Sequence, residues 1–261
     1  MIKALSTAAT GMEAQETRLD VTANNIANVS TAGFKKGRAE FQDLMYQQLR
    51  ASGAATGANT RAPVGLDVGS GVRVVGTQRM HSEGDLKQTG NPLDLAIEGN
   101  GFFQVSLPNG QTGYTRDGSF KLSSEGKIVT ADGYQLTTDI SVPPDAQTVT
   151  VGVDGTVSAT VPSDTAPVEL GKIQLANFAN PAGLTQLGRN LFRETASSGS
   201  PISGEPGQDG MGTLSQGTLE LSNVKVVEEM IDLIAGQRAY EVNSRVIKAA
   251  DEMLGQTANM K

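Results

Sequence analysis

Two stretches with a seven-residue apolar repeat stand at opposite ends of this chain of 261 residues, and they limit its fold more than anything between them. At the start, Leu5, Met12, Leu19 and Ile26 fall seven apart, with Ile2, Ala9 and Ala23 in the adjoining stripe. At the finish, Val226, Leu233, Tyr240, Ile247 and Leu254 repeat the spacing. On a helix this spacing lines the apolar groups along one side and calls for a partner to cover them. Proline draws the same division independently. All 10 prolines lie between Pro63 and Pro206, so both ends lack the residue that most strongly interrupts a helix.

Residues 1–29 read as the first helix, with Asn24, Asn25 and Asn28 at its fraying end, Gly33 turning the chain away and Phe34 as the next apolar anchor. Phe41, Leu44, Met45 and Leu49 suggest a short helix, and residues 51–67, rich in Ala, Gly, Thr and Asn, an extended excursion. From Val68 the apolar period changes to two. Strands are expected around Val72–Met80, Leu93–Ile97, Phe102–Val105, Thr148–Val153, Val157–Val161, Val168–Leu175 and Leu191–Arg193. Asn109-Gly110, Asp117-Gly118, Glu125-Gly126 and Asp132-Gly133 punctuate this region as hairpin turns, because such pairs accept positive φ. Residues 195–217 read as a loop leading to a last helix, capped by Asn223, with Glu228, Glu229 and Asp232 at its positive end and a length of about 50 Å at roughly 1.5 Å per residue.

Little in the chain promises chemistry. There is no cysteine and one histidine, His81, so a zinc site has almost no ligands to draw on; His81 reads as a surface residue. Gly69-Ser70-Gly71 lacks the third glycine of a dinucleotide loop, and Gly126-Lys127 and Gly171-Lys172 are each followed by isoleucine instead of Ser or Thr. Asp117, Asp132 and Asp154 each precede glycine, where a turn places Asp for backbone reasons. The net charge of −7 gives no basic footprint for nucleic acid, and the cluster Lys35, Lys36, Arg38 reads as a solvated turn or a contact with an acidic neighbour. No run is long and apolar enough to span a membrane or to form a signal-peptide core, so export, if it occurs, is expected by another route.

The terminal stripes remain. Two helices paired alone cover only part of their apolar surface while ordering their backbones at about 1–2 kcal/mol per residue. The expectation is that the ends are mobile in a free subunit and become ordered when many copies pack together.

The segment Ala23-Asn24-Asn25-Ile26-Ala27-Asn28-Val29-Ser30-Thr31-Ala32-Gly33-Phe34-Lys35-Lys36 closely resembles the N-terminal signature of bacterial flagellar axial proteins, the rod and hook group. The likeness continues in Leu95–Phe103, Tyr114–Phe120, Gln216–Val224 and Gln237–Ser244. Its signature positions here are Asn24, Asn25, Asn28, Gly33, Phe34, Gln237, Arg238 and Asn243. Length and the segment Phe41–Arg50 point to the distal-rod branch; hook proteins are usually longer.

The resemblance implies an α+β subunit whose long N- and C-terminal helices pair in a coiled-coil-like inner domain (1–30 and 222–261). A connecting segment (31–70) and a mainly antiparallel β-rich outer domain (71–221) complete it. It implies a structural subunit with no cofactor, exported by the flagellar type III route into the basal body and stacked into a tube that transmits torque. The implied partners are further copies, proximal rod proteins, the hook protein and the surrounding ring proteins; no nucleic acid and no membrane insertion are implied. Residues 46–67 map onto the excursion associated with rod rigidity. The nine stripe residues are the expected assembly interface. The rival readings are a hook or proximal rod subunit, and a secreted β-rich hydrolase or adhesin.

Overall fold

A computed structural model describes residues 2–55, 61–138, 140–162 and 166–259. The chain forms two compact units: residues 1–27, 37–78 and 225–261 make a helical unit, and residues 28–36 and 79–224 make a β-body.

The helical unit is built on α1 (Ile2–Ala27) and α2 (Val226–Asn259). The side chain of Ile2 and residues 56–60 of the excursion lie outside the described residues. The strands of this unit are β1 (Gly37–Asp43), β2 (Gln47–Arg50), β3 (Leu66–Val68) and β4 (Val72–Arg79). β1 pairs with β4, and β2 pairs antiparallel with β3, Gln47 opposite Val68. The short helix expected from Phe41, Leu44, Met45 and Leu49 is therefore replaced by β1 and β2. The helical spacing there has no core to face: Phe41, Met45 and Leu49 are all exposed, and ladder pairing satisfies the backbone instead.

The β-body opens with β5 (Leu86–Gln88), β6 (Leu95–Glu98), β7 (Phe102–Ser106) and β8 (Thr112–Thr115). It continues with β9 (Lys121–Leu122), β10 (Ile128–Val129), β11 (Gln135–Leu136), β12 (Thr148–Val151), β13 (Thr156–Thr160), β14 (Val168–Lys172) and β15 (Leu175–Asn177). It ends with β16 (Thr185–Gly188), β17 (Leu191–Arg193), β18 (Ile202–Gly204), β19 (Thr213–Gln216) and β20 (Thr218–Glu220). The main sheet runs β16-β17-β8-β7-β11-β10-β9, with β15 also on β7 and β18 on β15. A second sheet runs β12-β13-β14, and β6 pairs with β19 and β5 with β20. All of the registered strand pairs are antiparallel.

Asn109-Gly110, Glu125-Gly126 and Asp132-Gly133 each join consecutive paired strands, as their positive-φ glycines allow. Asp117-Gly118 does not; it links strands that do not pair, β8 and β9. The expected loop 195–217 contains β18 and β19, because long-range partners on β15 and β6 supply ladders that a glycine-rich sequence does not announce. The core gathers Leu95, Phe103, Phe120, Val157, Ile173 and Leu175, with the Phe103 and Phe120 rings edge-to-face at 5.0 Å.

One side chain closes a strand edge. At β12, Gln216 Oε1 accepts from Val151 N at 3.2 Å while its Nε2 donates to Val149 O at 2.9 Å, so one amide stands where a neighbouring strand's peptide would.

Candidate assembly interface

The helices of the helical unit run antiparallel. Gly11 lies beside Asn243, Leu19 beside Gly236, and Asn25 Nδ2 donates to the Glu229 carboxylate at 3.0 Å. A Cβ on Gly236 would stand 3.0 Å from Leu19 Cδ2, and one on Gly11 2.9 Å from Asn243 Nδ2, so glycine sets how closely the helices approach. The residues sealed along the pair are small or polar: Ala8, Ala14, Thr22 and Asn25 on α1, and Glu229, Gly236 and Ala250 on α2.

The large stripe residues flank that line. Leu5, Met12, Leu19, Ile26, Leu233, Ile247 and Leu254 are half-buried, while Val226 and Tyr240 are exposed. Ala9 and Ala23, expected beside the stripe, face outward; Ala8 and Thr22 occupy the inner side instead. The repeat finds the helices, but seven-residue spacing alone does not say on which side of the large residues the partner sits.

A second apolar face was missed. Val227, Met230, Ile231 and Ile234 follow helical spacing on α2 and are exposed, Val227 at 71% and Ile231 at 62%. The i, i+3, i+4, i+7 spacing was there to be read. In the same unit, Met45 is 87% exposed, and Tyr46, Leu49, Val64 and Leu66 also face outward. Contiguous exposed apolar side chains of this size mark interaction surfaces.

In the β-body the signature motifs interlock. Gly33 adopts φ +66°, and a Cβ there would stand 2.6 Å from the Arg116 carbonyl carbon, so only glycine lets this turn close on the Arg116–Asp117 backbone. Lys35, read as part of a solvated turn or as a contact with an acidic neighbour, is sealed against an acid: its Nζ donates to the Glu220 carboxylate and to Ser82 O. An ammonium is buried here because a carboxylate far along the chain meets it, which local sequence cannot show. Burial pushes the Lys35 pKa down against the pull of Glu220, and burial likewise lowers that of Arg116, whose Nη1 lies 3.6 Å from Glu220 Oε2.

Asn25 Oδ1 accepts from Gly37 N at 2.8 Å and its Nδ2 donates to Gly37 O at 2.9 Å, both within the helical unit. Phe34 lies under the Arg79 guanidinium, 4.9 Å from the ring centre. Asn28 Oδ1 accepts from Thr31 Oγ1. Asn24, Gln237 and Arg238 are exposed, the last paired with Glu241 at 3.1 Å. Asn223 does not cap α2, which begins three residues later; its Oδ1 accepts from Lys36 N at 2.7 Å.

His81, expected on the surface, is half-buried. Its ring packs edge-on against Phe102 and Phe192, each with ring centres 5.5 Å apart. Burial, with the charges of Lys35, Arg116 and Arg79, lowers its pKa to about 4. The imidazole packs at the edge of the Phe102–Phe192 cluster. Among the described residues no cluster of His, Cys, Asp and Glu could hold a metal ion, and no helix is long and apolar enough to cross a membrane. A groove of about 1000 Å³, lined by Leu93, Leu122, Pro143 and Val149 among others, contains one ionisable side chain, Glu125, and so no paired acid and base.

Three family models match: residues 5–35 as "Flagella basal body rod protein", residues 96–159 as "Flagellar hook protein FlgE/F/G D1 domain", and residues 215–260 as "Flagellar basal body rod FlgEFG protein C-terminal". With a helix at each end of the chain and motifs interlocked within the β-body, they define a flagellar axial protein of the rod and hook class. The chain is 47% identical to the flagellar basal-body rod protein FlgG of Borreliella burgdorferi, covering 100% of this chain and 99% of the relative. It is 48% identical to FlgG of Buchnera aphidicola subsp. Schizaphis graminum (97% and 98% covered) and 44% identical to FlgG of Caulobacter vibrioides (100% of both). The chain belongs to the FlgG family of flagellar basal-body rod proteins, structural proteins and not enzymes.

Proposed function

We propose that copies of this chain polymerise into the distal rod, a rigid helical tube that crosses the periplasm within the basal body and carries motor torque to the hook. The observation behind this reading is the helical unit itself. Its two helices touch through glycine, alanine and polar groups, while large apolar side chains of α2 face outward. Each such residue contributes about 1.5–3 kcal/mol when a neighbouring copy covers it.

In the assembled tube the seven-residue repeats form a coiled-coil-like inner layer. Leu5, Met12, Leu19, Ile26, Val226, Leu233, Tyr240, Ile247 and Leu254 line the contacts between copies. Residues 1–30 and 222–261 lie inside, 31–70 connect, and 71–221 lie outside. Residues 46–67, with exposed Met45 and Tyr46 at their root, stiffen the wall by contact between copies. Further partners are proximal rod proteins, the hook protein and the surrounding rings.

Charge in the helix stripes tests this. Met12→Asp and Leu233→Asp abolish polymerisation of the purified protein, seen by electron microscopy as loss of straight tubes, while circular dichroism shows the β-body still folded. Tubes formed unchanged by both variants overturn the reading. Amide exchange extends the test: the ends exchange fast in the free subunit and become protected in the polymer.

A further inference from the structure

Every crossing of the chain between the helical unit and the β-body starts from one patch of the β-body. The crossings fall at residues 27/28, 36/37, 78/79 and 224/225. On the β-body side they belong to three segments, 28–36, 79–84 and 220–224, and these bind one another directly.

Arg79 Nη1 donates to Lys35 O at 2.7 Å, and Met80 N to Lys36 O at 2.9 Å. Asn223 accepts from Lys36 N with its Oδ1 and donates from its Nδ2 to Met80 O at 2.8 Å, so one amide holds two segments to its own. Gly33 N donates to Glu220 O at 2.9 Å, and Gly84 N to Glu220 Oε1 at 2.9 Å. At the centre the Lys35 and Glu220 side chains have 0% exposure and that of Arg116 4%.

We propose that Lys35, Arg116 and Glu220 form a root clamp, an ionic knot that seats or releases all three segments as one. The reason is electrostatic. The Lys35 ammonium cannot be buried without the Glu220 carboxylate, and without Lys35 that carboxylate keeps only the Arg116 cation, 3.6 Å away and beyond hydrogen-bond reach, so a charge stranded in this interior costs more than a strand ladder returns. Arg116 fixes the knot to the core, its guanidinium donating to Ile97 O and Gly99 O. Seating 28–36 therefore requires 220–224 in place, and the reverse holds. The clamp belongs to the single chain. Only its use, giving the β-body segments that lead to both terminal helices one common seat, rests on the rod reading.

Amide exchange read by mass spectrometry on the full chain tests it, comparing wild type with Lys35→Met and Glu220→Gln. Lys35→Met buries no stranded cation and leaves Glu220 facing Arg116 without its hydrogen-bonded ammonium, so it loosens the knot while the β-body stays folded and carries the test even where Glu220→Gln unfolds it. Expected in Lys35→Met is a joint loss of protection in 31–36, 79–84 and 219–224, all three by the same factor of about ten or more, with Phe103–Val105 unchanged. Loss confined to 31–36, with 79–84 and 219–224 protected as in wild type, overturns the clamp. Polymerisation does not enter this readout, so the clamp and the rod reading fail separately.

Discussion

In the β-body Phe103, Val157, Ile173 and Leu175 have no exposed surface, and a lysine and a glutamate are sealed in the same unit; in the helical unit Val227 and Ile231 face outward while glycine and alanine occupy the inside. The contrast separates a unit that satisfies itself from one that does not. Large apolar groups turned inward make a body whose stability is its own. Large apolar groups turned outward around a closely packed helix pair make a surface whose stability comes from neighbours. Ordinary burial statistics therefore apply to one part of this chain and mislead in the other.

The contrast is broken most forcefully at the core. Phe103→Ala removes a ring packed on Phe120 and should cost the β-body about 3–5 kcal/mol, read by urea unfolding, with the helical content of assembled protein little changed. Next comes acid. His81 has an ordinary pKa of 6.5 and a folded value of about 4, so between those values the unfolded chain takes up a proton that the folded one refuses. Its contribution is whole above about pH 6.5 and is lost as pH falls towards 4, by on the order of 3 kcal/mol. His81→Phe should flatten that part of the pH profile against wild type, and an unchanged slope would show that the imidazole is not held neutral.

Smaller is Gly33→Ala. It forces a side chain into positive φ against the Arg116 backbone, and a loss of about 2 kcal/mol is expected by the same unfolding measurement. Smallest for the single chain is Ile231→Ser, on the exposed face of α2. Monomer stability should move by less than about 0.5 kcal/mol while the critical concentration for tube formation rises. That opposition, large in assembly and negligible alone, sharpens the comparison most.

The helices were legible because a repeat and an absence of proline are both local facts, and most of the hairpins were legible because Asn-Gly and Asp-Gly pairs are local too. What escaped depends on partners far along the chain. β1 and β2 replaced a short helix because ladders were on offer and no core was. Whether Lys35 was solvated or met an acid stayed open because Glu220 is remote in sequence, and Asn223 looked like a cap because its true partner, Lys36, is equally remote. Of the surfaces, the stripes were visible, but their inner side was not, since glycine at 11 and 236 decides how the helices meet.

The Gln216 amide on β12 has a consequence for any protein that must bind its own kind. An unpaired strand edge invites indiscriminate addition, and a crowd of identical chains multiplies the opportunity. With Val149 O and Val151 N already occupied from within the same molecule, that margin of the sheet offers a stray strand fewer groups to pair with, which favours self-recognition through other surfaces.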